Sequence, residues 1–218
     1  MNGFRTLSAL LLAGAVTMVP LHAQESPAQP TLSGGNAADS AAPALRTWRI
    51  DANHSDVSFR VRHLVTRVSG TFDRWDAVLQ ADPSDWSTGT VAVTIETASI
   101  NTRHERRDTH LRSDDFFDAE RHPTITFQSR RVVPEGDRLR IEGDLTIRGI
   151  SRPVVLDGEI VALTAAPDGS YRAGFSATTR INRHDFGVSW NRAAEGGGLV
   201  LADEVDIEIN LAGVAPAQ

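Results

Sequence analysis

One histidine of the sequence is placed where it could meet a ligand. His63 follows Val57, Phe59 and Val61 at a period of two, so its imidazole falls on the apolar side of a strand. There it could donate a hydrogen bond to the polar head of a ligand, or act as a general base. It could also be a core histidine whose ring is satisfied by a neighbouring group, which is the interpretation we favour.

Arg183 is a second candidate, in a polar segment that ends at a glycine turn. Its planar fork of donors could clamp a phosphate. It could equally pair with Asp185, or with the carboxylates of Asp114, Asp115 and Asp118. We favour the ion pair.

Other catalytic and metal-binding patterns are missing from the sequence. It has no Gly-x-Ser-x-Gly elbow, no glycine-rich phosphate loop and no His-Glu-x-x-His. His104 and His110 are six residues apart, which does not stack two ligands on one helix face, and cysteine is absent. We therefore predict no catalytic residues, no metal and no cofactor.

An acidic, aromatic loop at residues 113–120 precedes a strand. Ser113 and the aspartates after it predict the N-terminal cap of a short helical turn. Pro123 ends any helix, and residues 124–127 alternate as a half-buried strand does. We expect Phe116 and Phe117 to plug the open end of a β structure.

The rest of the sequence predicts strands with one apolar face. Residues 138–148 alternate most cleanly, the alternation slips near residues 73–74, and residues 101–111 are the one segment that could form a helix. Arg148 and Arg152 flank the Gly149 turn, where a charge is usually solvated. About eight such strands could form a sandwich or an up-and-down barrel. A strand of ~36 Å favours the barrel, whose interior can hold one small ligand.

Four sequence blocks, taken in order, resemble the YceI-like family of polyisoprenoid-binding, lipocalin-like bacterial proteins. The matching residues are Ser55, Val57, Phe59, Val61, Arg62, His63 and Leu64; Ser113 to Asp118 with Glu120, Pro123, Ile125 and Phe127; Gly143 to Gly149 with Arg152, Pro153 and Val154; and Asn182, Arg183, Asp185, Phe186 and Gly187. The resemblance implies an all-β fold, an elongated antiparallel eight-stranded lipocalin-like barrel with one short helix, and a lipid inside it.

In such a barrel the apolar strand faces would line a deep tunnel. The predicted lining residues are Val57, Phe59, Val61, Phe72, Val91, Val93, Ile95, Ile125, Phe127, Leu145, Ile147 and Phe175. The predicted residues of the mouth, which would contact the ligand head, are His63, Phe116, Phe117 and Arg183. The same apolar residues could instead fill the barrel completely.

The N-terminal segments predict export. Arg5, an apolar run at residues 7–19 and Ala23 are typical of a signal peptide at residues 1–23. Residues 24–46, rich in Ala, Pro, Ser and Gly, predict a disordered linker, followed by the barrel domain at 47–213 and a tail at 214–218. The formal net charge of −6 argues against nucleic-acid binding.

Our first hypothesis is a periplasmic or secreted carrier, not an enzyme, that holds a polyisoprenoid or a similar long-chain amphiphile. An enzyme acting on an isoprenoid lipid, with His63 as general base, is the second. A module that docks a membrane-protein partner, with an incidental cavity, is the third. A membrane-protein partner and a homodimer both stay open.

Overall fold

The computed structural model describes residues 44–195 and 197–217. The predicted signal peptide and residues 24–43 of the predicted linker lie outside the described residues. The strands are β1 (Arg46–Ile50), β2 (Asp56–His63), β3 (Thr66–Phe72), β4 (Trp75–Asp82), β5 (Asp85–Glu96), β6 (Ile100–Asn101), β7 (Thr124–Glu135), β8 (Arg138–Ile147), β9 (Ile150–Ala165), β10 (Tyr171–Asn182) and β11 (Leu201–Ala215). The described helices are α1 (Glu105–Arg112) and three 3-10 turns, Ala52–His54, Thr97–Ser99 and Arg183–Phe186.

The strands form a closed antiparallel barrel. Eight of them close in the order β1, β4, β5, β7, β8, β9, β10, β11, because β11 also pairs with β1. β2 and β3 continue β1 and β4 beyond short interruptions, and the first part of β11 pairs with β2. The predicted eight-stranded antiparallel barrel with one short helix is confirmed.

The buried positions in the strands follow the alternation of apolar and polar residues in the sequence. In β8, Leu139, Ile141, Leu145 and Ile147 are buried, while the side chains between them are exposed or half-buried. The predicted slip is also present, since residues 73–74 separate β3 from β4 and shift the buried positions from even to odd numbers. Period-two apolarity therefore determines which side chains enter the barrel.

Gly143 interrupts the apolar face of β8 because a ring occupies its space. A Cβ at this position would lie 2.5 Å from Cζ of Phe127 and 2.5 Å from the carbonyl oxygen of Gln128. Such distances are shorter than van der Waals contact allows, so only glycine lets the Phe127 ring lie across the barrel interior here.

Helix α1 begins later in the chain than the sequence predicts. β6 and an irregular turn take residues 100–104, and the helix is anchored to that turn by the buried Asp108 carboxylate, which accepts from the Thr102 backbone N–H at 2.9 Å. The predicted N-cap role of Ser113 is wrong. Ser113 follows the C-terminus of α1 and donates its hydroxyl to the His110 carbonyl at 2.7 Å. Within residues 44–195 and 197–217, no helix is long and apolar enough to cross a membrane.

Candidate ligand-binding cavities

Two apolar cavities lie one behind the other in the described barrel. The helix-end cavity, about 120 Å³, lies beneath α1 and the loop that follows it. The far cavity, about 60 Å³, lies toward the opposite end. The helix-end cavity is lined by Phe59, Val61, Phe72, Ile95, Leu111, Phe116, Phe117, Ile125, Leu145, Ile147, Ile181, Arg183, Phe186, Val188, Leu201, Val205 and Ile207. The far cavity is lined by Ala77, Leu79, Trp86, Gly89, Val91, Val93, Val132, Leu139, Ile141, Leu156, Gly158, Glu159, Phe175, Ser176, Ala177, Ile209 and Leu211.

Phe127 separates the two cavities. Along β7, Ile125 lines the helix-end cavity and Val132 lines the far cavity, and Phe127 lies between them without lining either. Its cross-strand partners are Val93, at the far cavity, and Leu145, at the helix-end cavity. The Phe127 ring, which lies against Gly143, therefore constricts the barrel interior between the two cavities.

The predicted lining residues divide between the helix-end cavity, the far cavity and the buried core. The helix-end cavity receives Phe59, Val61, Phe72, Ile95, Ile125, Leu145 and Ile147. The far cavity receives Val91, Val93 and Phe175. Val57 and Phe127 are buried in the core without lining either cavity. The interior is thus two chambers where the sequence led us to expect one tunnel.

A plug formed by Phe116 and Phe117 closes the helix-end cavity. Phe116 is buried, and its ring lies 5.1 Å from that of Trp190 and 5.0 Å from that of His110. The half-buried Phe117 ring contacts Phe72 edge-on at 6.1 Å. Sequence reasoning missed Trp190, whose only signal was a large aromatic shortly after the glycine turn.

Arg148 holds the plug in place. Its guanidinium Nη1 donates to the carbonyl of Asp114 at 3.0 Å and to the carbonyl of Phe116. Arg148 has a φ of 51° at the turn between β8 and β9.

 The backbone of Arg148 is left-handed, and its side chain reaches the plug loop rather than solvent. The prediction of a solvated hairpin charge at Arg148 is therefore wrong, because its side chain satisfies carbonyls of the plug.

Arg183 lies in the wall of the helix-end cavity and is almost fully buried. It donates to the carbonyls of Val188 at 2.7 Å, Trp190 at 2.8 Å and Ala202 at 2.9 Å. Burial lowers the pKa of the guanidinium, and the carboxylate of Asp203, 3.5 Å away, opposes that shift. These contacts hold the loop that carries Trp190 against β11.

The acidic partners favoured for Arg183 are wrong. Among the described residues Asp185 and Asp114 make no ion pair with it, and the other two carboxylates are engaged elsewhere: Asp115 with His110 at 2.8 Å, and Asp118 with Arg121 at 2.6 Å. The cation instead pairs with Asp203 at the start of β11, 20 residues further along the chain.

The remaining polar candidates do not gather at a reaction centre. His63 is half-buried at the end of β2, and its ring lines neither cavity. In the part of the chain that the structure describes, no three imidazole or carboxylate side chains come close enough together to hold a metal ion. The arrangement is suited to enclosing an apolar molecule, and we find no acid–base pair in the cavity walls.

The far end of the barrel is closed by aromatic side chains of the barrel strands. Trp48 from β1 contacts Trp86 from β5 and Phe175 from β10, with ring centroids 5.5 Å apart in both pairs. Trp48 is 1% exposed, and its indole N–H has no hydrogen-bond partner among the described residues.

Comparison with known proteins identifies the fold's family. A model of the YceI-like domain matches residues 48–213, and the chain belongs to this family. A UPF0312 protein of Staphylococcus aureus strain N315 is 37% identical over 166 residues, covering 75% of this chain and 95% of the relative. A UPF0312 protein of Vibrio cholerae is 36% identical over 163 residues, covering 74% of this chain and 82% of the relative.

Solved structures show the same barrel. BcnA of Burkholderia cenocepacia has a TM-score of 0.66 at 25% identity, covering 75% of this chain and 99% of that one. The YceI protein of Campylobacter jejuni has a TM-score of 0.61 at 34% identity, covering 75% and 95%. A polyisoprenoid binding domain from Saccharophagus degradans has a TM-score of 0.56 at 16% identity, covering 79% and 99%, which is a likeness of fold.

Proposed function

We propose that this chain is a periplasmic carrier that holds a polyisoprenoid or a similar long-chain amphiphile inside its barrel. The observation that carries the proposal is the pair of aligned apolar cavities beneath a plug that lies outside the sheet. Membership of the YceI-like family supports the ligand class, and the signal-peptide pattern of residues 1–23 supports export.

The driving force for holding such a chain is the removal of apolar surface from water, about 25 cal/mol per Å². Cavities of about 120 and 60 Å³ are each smaller than the ~300–1,000 Å³ of a typical ligand pocket. Carriage therefore requires side chains to move: Phe116 and Phe117 to admit the ligand, and the Phe127 ring to join the two chambers.

The enzyme alternative has little support in the cavity walls. His63, the candidate general base, lines neither cavity. The guanidinium of Arg183 donates its hydrogen bonds to backbone carbonyls. A general base must be within hydrogen-bond reach of the proton that it removes. Binding without turnover is the function that this geometry supports best.

The proposal is tested by extracting the protein from a periplasmic fraction and analysing its lipids. Mass spectrometry of an organic extract should reveal an amphiphile with a long apolar chain, and the protein should begin near Gln24. If the extract holds none and an added polyprenyl phosphate cannot be loaded, the carrier proposal fails. Conversion of the added lipid into a product would support the enzyme instead.

A pair of variants of β8 tests where the ligand lies. Ile147→Glu places a carboxylate in the helix-end cavity, where an unpaired charge costs several kcal/mol or takes up a proton. It should lose bound lipid and stability together. Thr146→Glu, on the outward face of the same strand, is the matched control and should retain the lipid. Equal retention by both variants would show that the ligand lies elsewhere.

A further inference from the structure

The hairpin between β2 and β3 exposes apolar side chains at the helix end of the barrel. Val65 is 98% exposed and Leu64 is 46% exposed. The backbone N–H of Leu64 donates to the carbonyl of Val200 at 2.8 Å, which places Leu199, 60% exposed, in the neighbouring loop. These three residues, which we call the apolar tip, project from the barrel and leave much of their apolar surface unburied.

Leu64 also adopts an unfavourable backbone conformation. Its φ is 52°, in the left-handed region that glycine and asparagine adopt at lower cost than leucine does. A leucine that is strained and exposed at once is unfavourable for an isolated soluble barrel. Strained residues of this kind concentrate at sites that contact a ligand or partner.

Two arginines without an ion pair stand directly behind the tip. Arg62 and Arg67 are opposite one another across β2 and β3, where like charges repel. Within the described residues neither lies within 4.0 Å of a carboxylate oxygen. An anion placed between them would offset their repulsion.

The acidic side chains of the same surface groove have other partners. Asp203 accepts from His184 at 2.8 Å, and Glu204 and Asp206 both pair with Arg180, at 3.6 and 2.6 Å. The neighbouring loop adds one charge of each sign, Arg192 and Glu195. The lining of this groove holds four arginines, Arg60, Arg62, Arg67 and Arg180, against three carboxylates, so the base of the tip has a small positive excess although the chain as a whole is acidic.

We propose that the apolar tip, with Arg62 and Arg67, docks the protein on an anionic lipid surface. Exposed aliphatic side chains flanked by cations suit the boundary between headgroups and acyl chains, where apolar burial and phosphate attraction act together. Val61 and Leu201 line both the surface groove and the helix-end cavity, so docking turns that end of the barrel toward the membrane. The docking needs no cargo and is independent of the carrier function.

Co-sedimentation with vesicles that contain no isoprenoid tests the docking. The protein should bind vesicles of phosphatidylglycerol mixed with phosphatidylcholine, should not bind phosphatidylcholine alone, and should be released by salt. Arg62→Gln combined with Arg67→Gln should weaken binding about 25-fold, at about fivefold for each arginine near an anionic surface. Leu64→Asn combined with Val65→Ser should also weaken binding while leaving the melting temperature unchanged or raised.

Matched controls come from the opposite end of the barrel. Arg131→Gln with Arg138→Gln removes two exposed arginines near the β7–β8 hairpin, and Val161→Ser removes a valine that is 62% exposed. Both controls should bind as the wild-type protein does. Equal weakening by the controls, or no binding of the wild-type protein to phosphatidylglycerol vesicles at low salt, would overturn the proposal whether or not the barrel carries a lipid.

Discussion

The two ends of the barrel are closed by different means. At the far end, Trp48, Trp86 and Phe175 belong to three barrel strands, and their rings meet at 5.4–5.5 Å. At the helix end, Phe116 and Phe117 come from a loop outside the sheet. The far closure can open only if packed rings anchored on barrel strands move, whereas the plug can move as a loop segment while the strands stay paired.

The polar contacts also differ between the two closures, being unmade at the far end and made near the surface at the helix end. At the far end the buried indole N–H of Trp48 has no partner among the described residues, so aromatic packing there outweighs an unmade hydrogen bond. At the helix end Arg148 donates to two carbonyls of the plug loop, and His110 contacts Asp115 near the surface. Water can replace these polar contacts when the plug opens, so the helix end is where the proposed ligand would enter.

Replacing Trp48 should have the largest effect on stability. Trp48→Ala removes a ring that is 1% exposed and should lower the free energy of unfolding by about 3–5 kcal/mol. Urea titration followed by circular dichroism measures the loss, and Trp48→Phe is the control that keeps an aromatic ring. A loss below about 1 kcal/mol would contradict the assignment of the far end to the structural core.

The double variant Phe116→Ala with Phe117→Ala should affect both stability and ligand retention. Because the plug loop lies outside the sheet and can collapse into the space, the loss of one buried and one half-buried ring should cost about 3 kcal/mol, at the low end of the range for a buried aromatic ring. Lipid should leave the variant faster, which transfer to acceptor vesicles measures, while the corresponding double leucine variant should retain most of it. Unchanged release together with unchanged melting would mean that the loop does not close the cavity.

Arg148→Ala should have the smallest effect on stability, and that effect should be limited to the plug loop. Loss of its partly exposed contacts should cost about 1 kcal/mol. Hydrogen exchange of the backbone amides at residues 114–118 should accelerate, while amides of the far end keep their protection. Arg152→Ala, at the other side of the same turn, is the control, because among the described residues its side chain donates only to its neighbour Ser151, at 3.3 Å. Equal acceleration in both variants would remove the special role of Arg148.

The sequence by itself determined the inner faces of the strands and, through the family resemblance, indicated the barrel. Alternation in residues 138–147 predicted the buried side of β8, and the change of parity near residues 73–74 predicted the break between β3 and β4. Both are local properties, because a strand turns successive side chains to opposite faces wherever it lies in the fold. Four short blocks in order were enough to indicate the family.

Only the tertiary structure decided which inner side chains meet. Phe127 divides the interior because its ring lies over Gly143 of the neighbouring strand, and Trp190 completes the plug from a loop far along the chain. Arg148 and Arg183 both reach backbone carbonyls, which no pattern of side-chain types records. Alternation states the side of the sheet that a residue faces, but contacts across a barrel depend on strand register and closure, which the whole chain sets together.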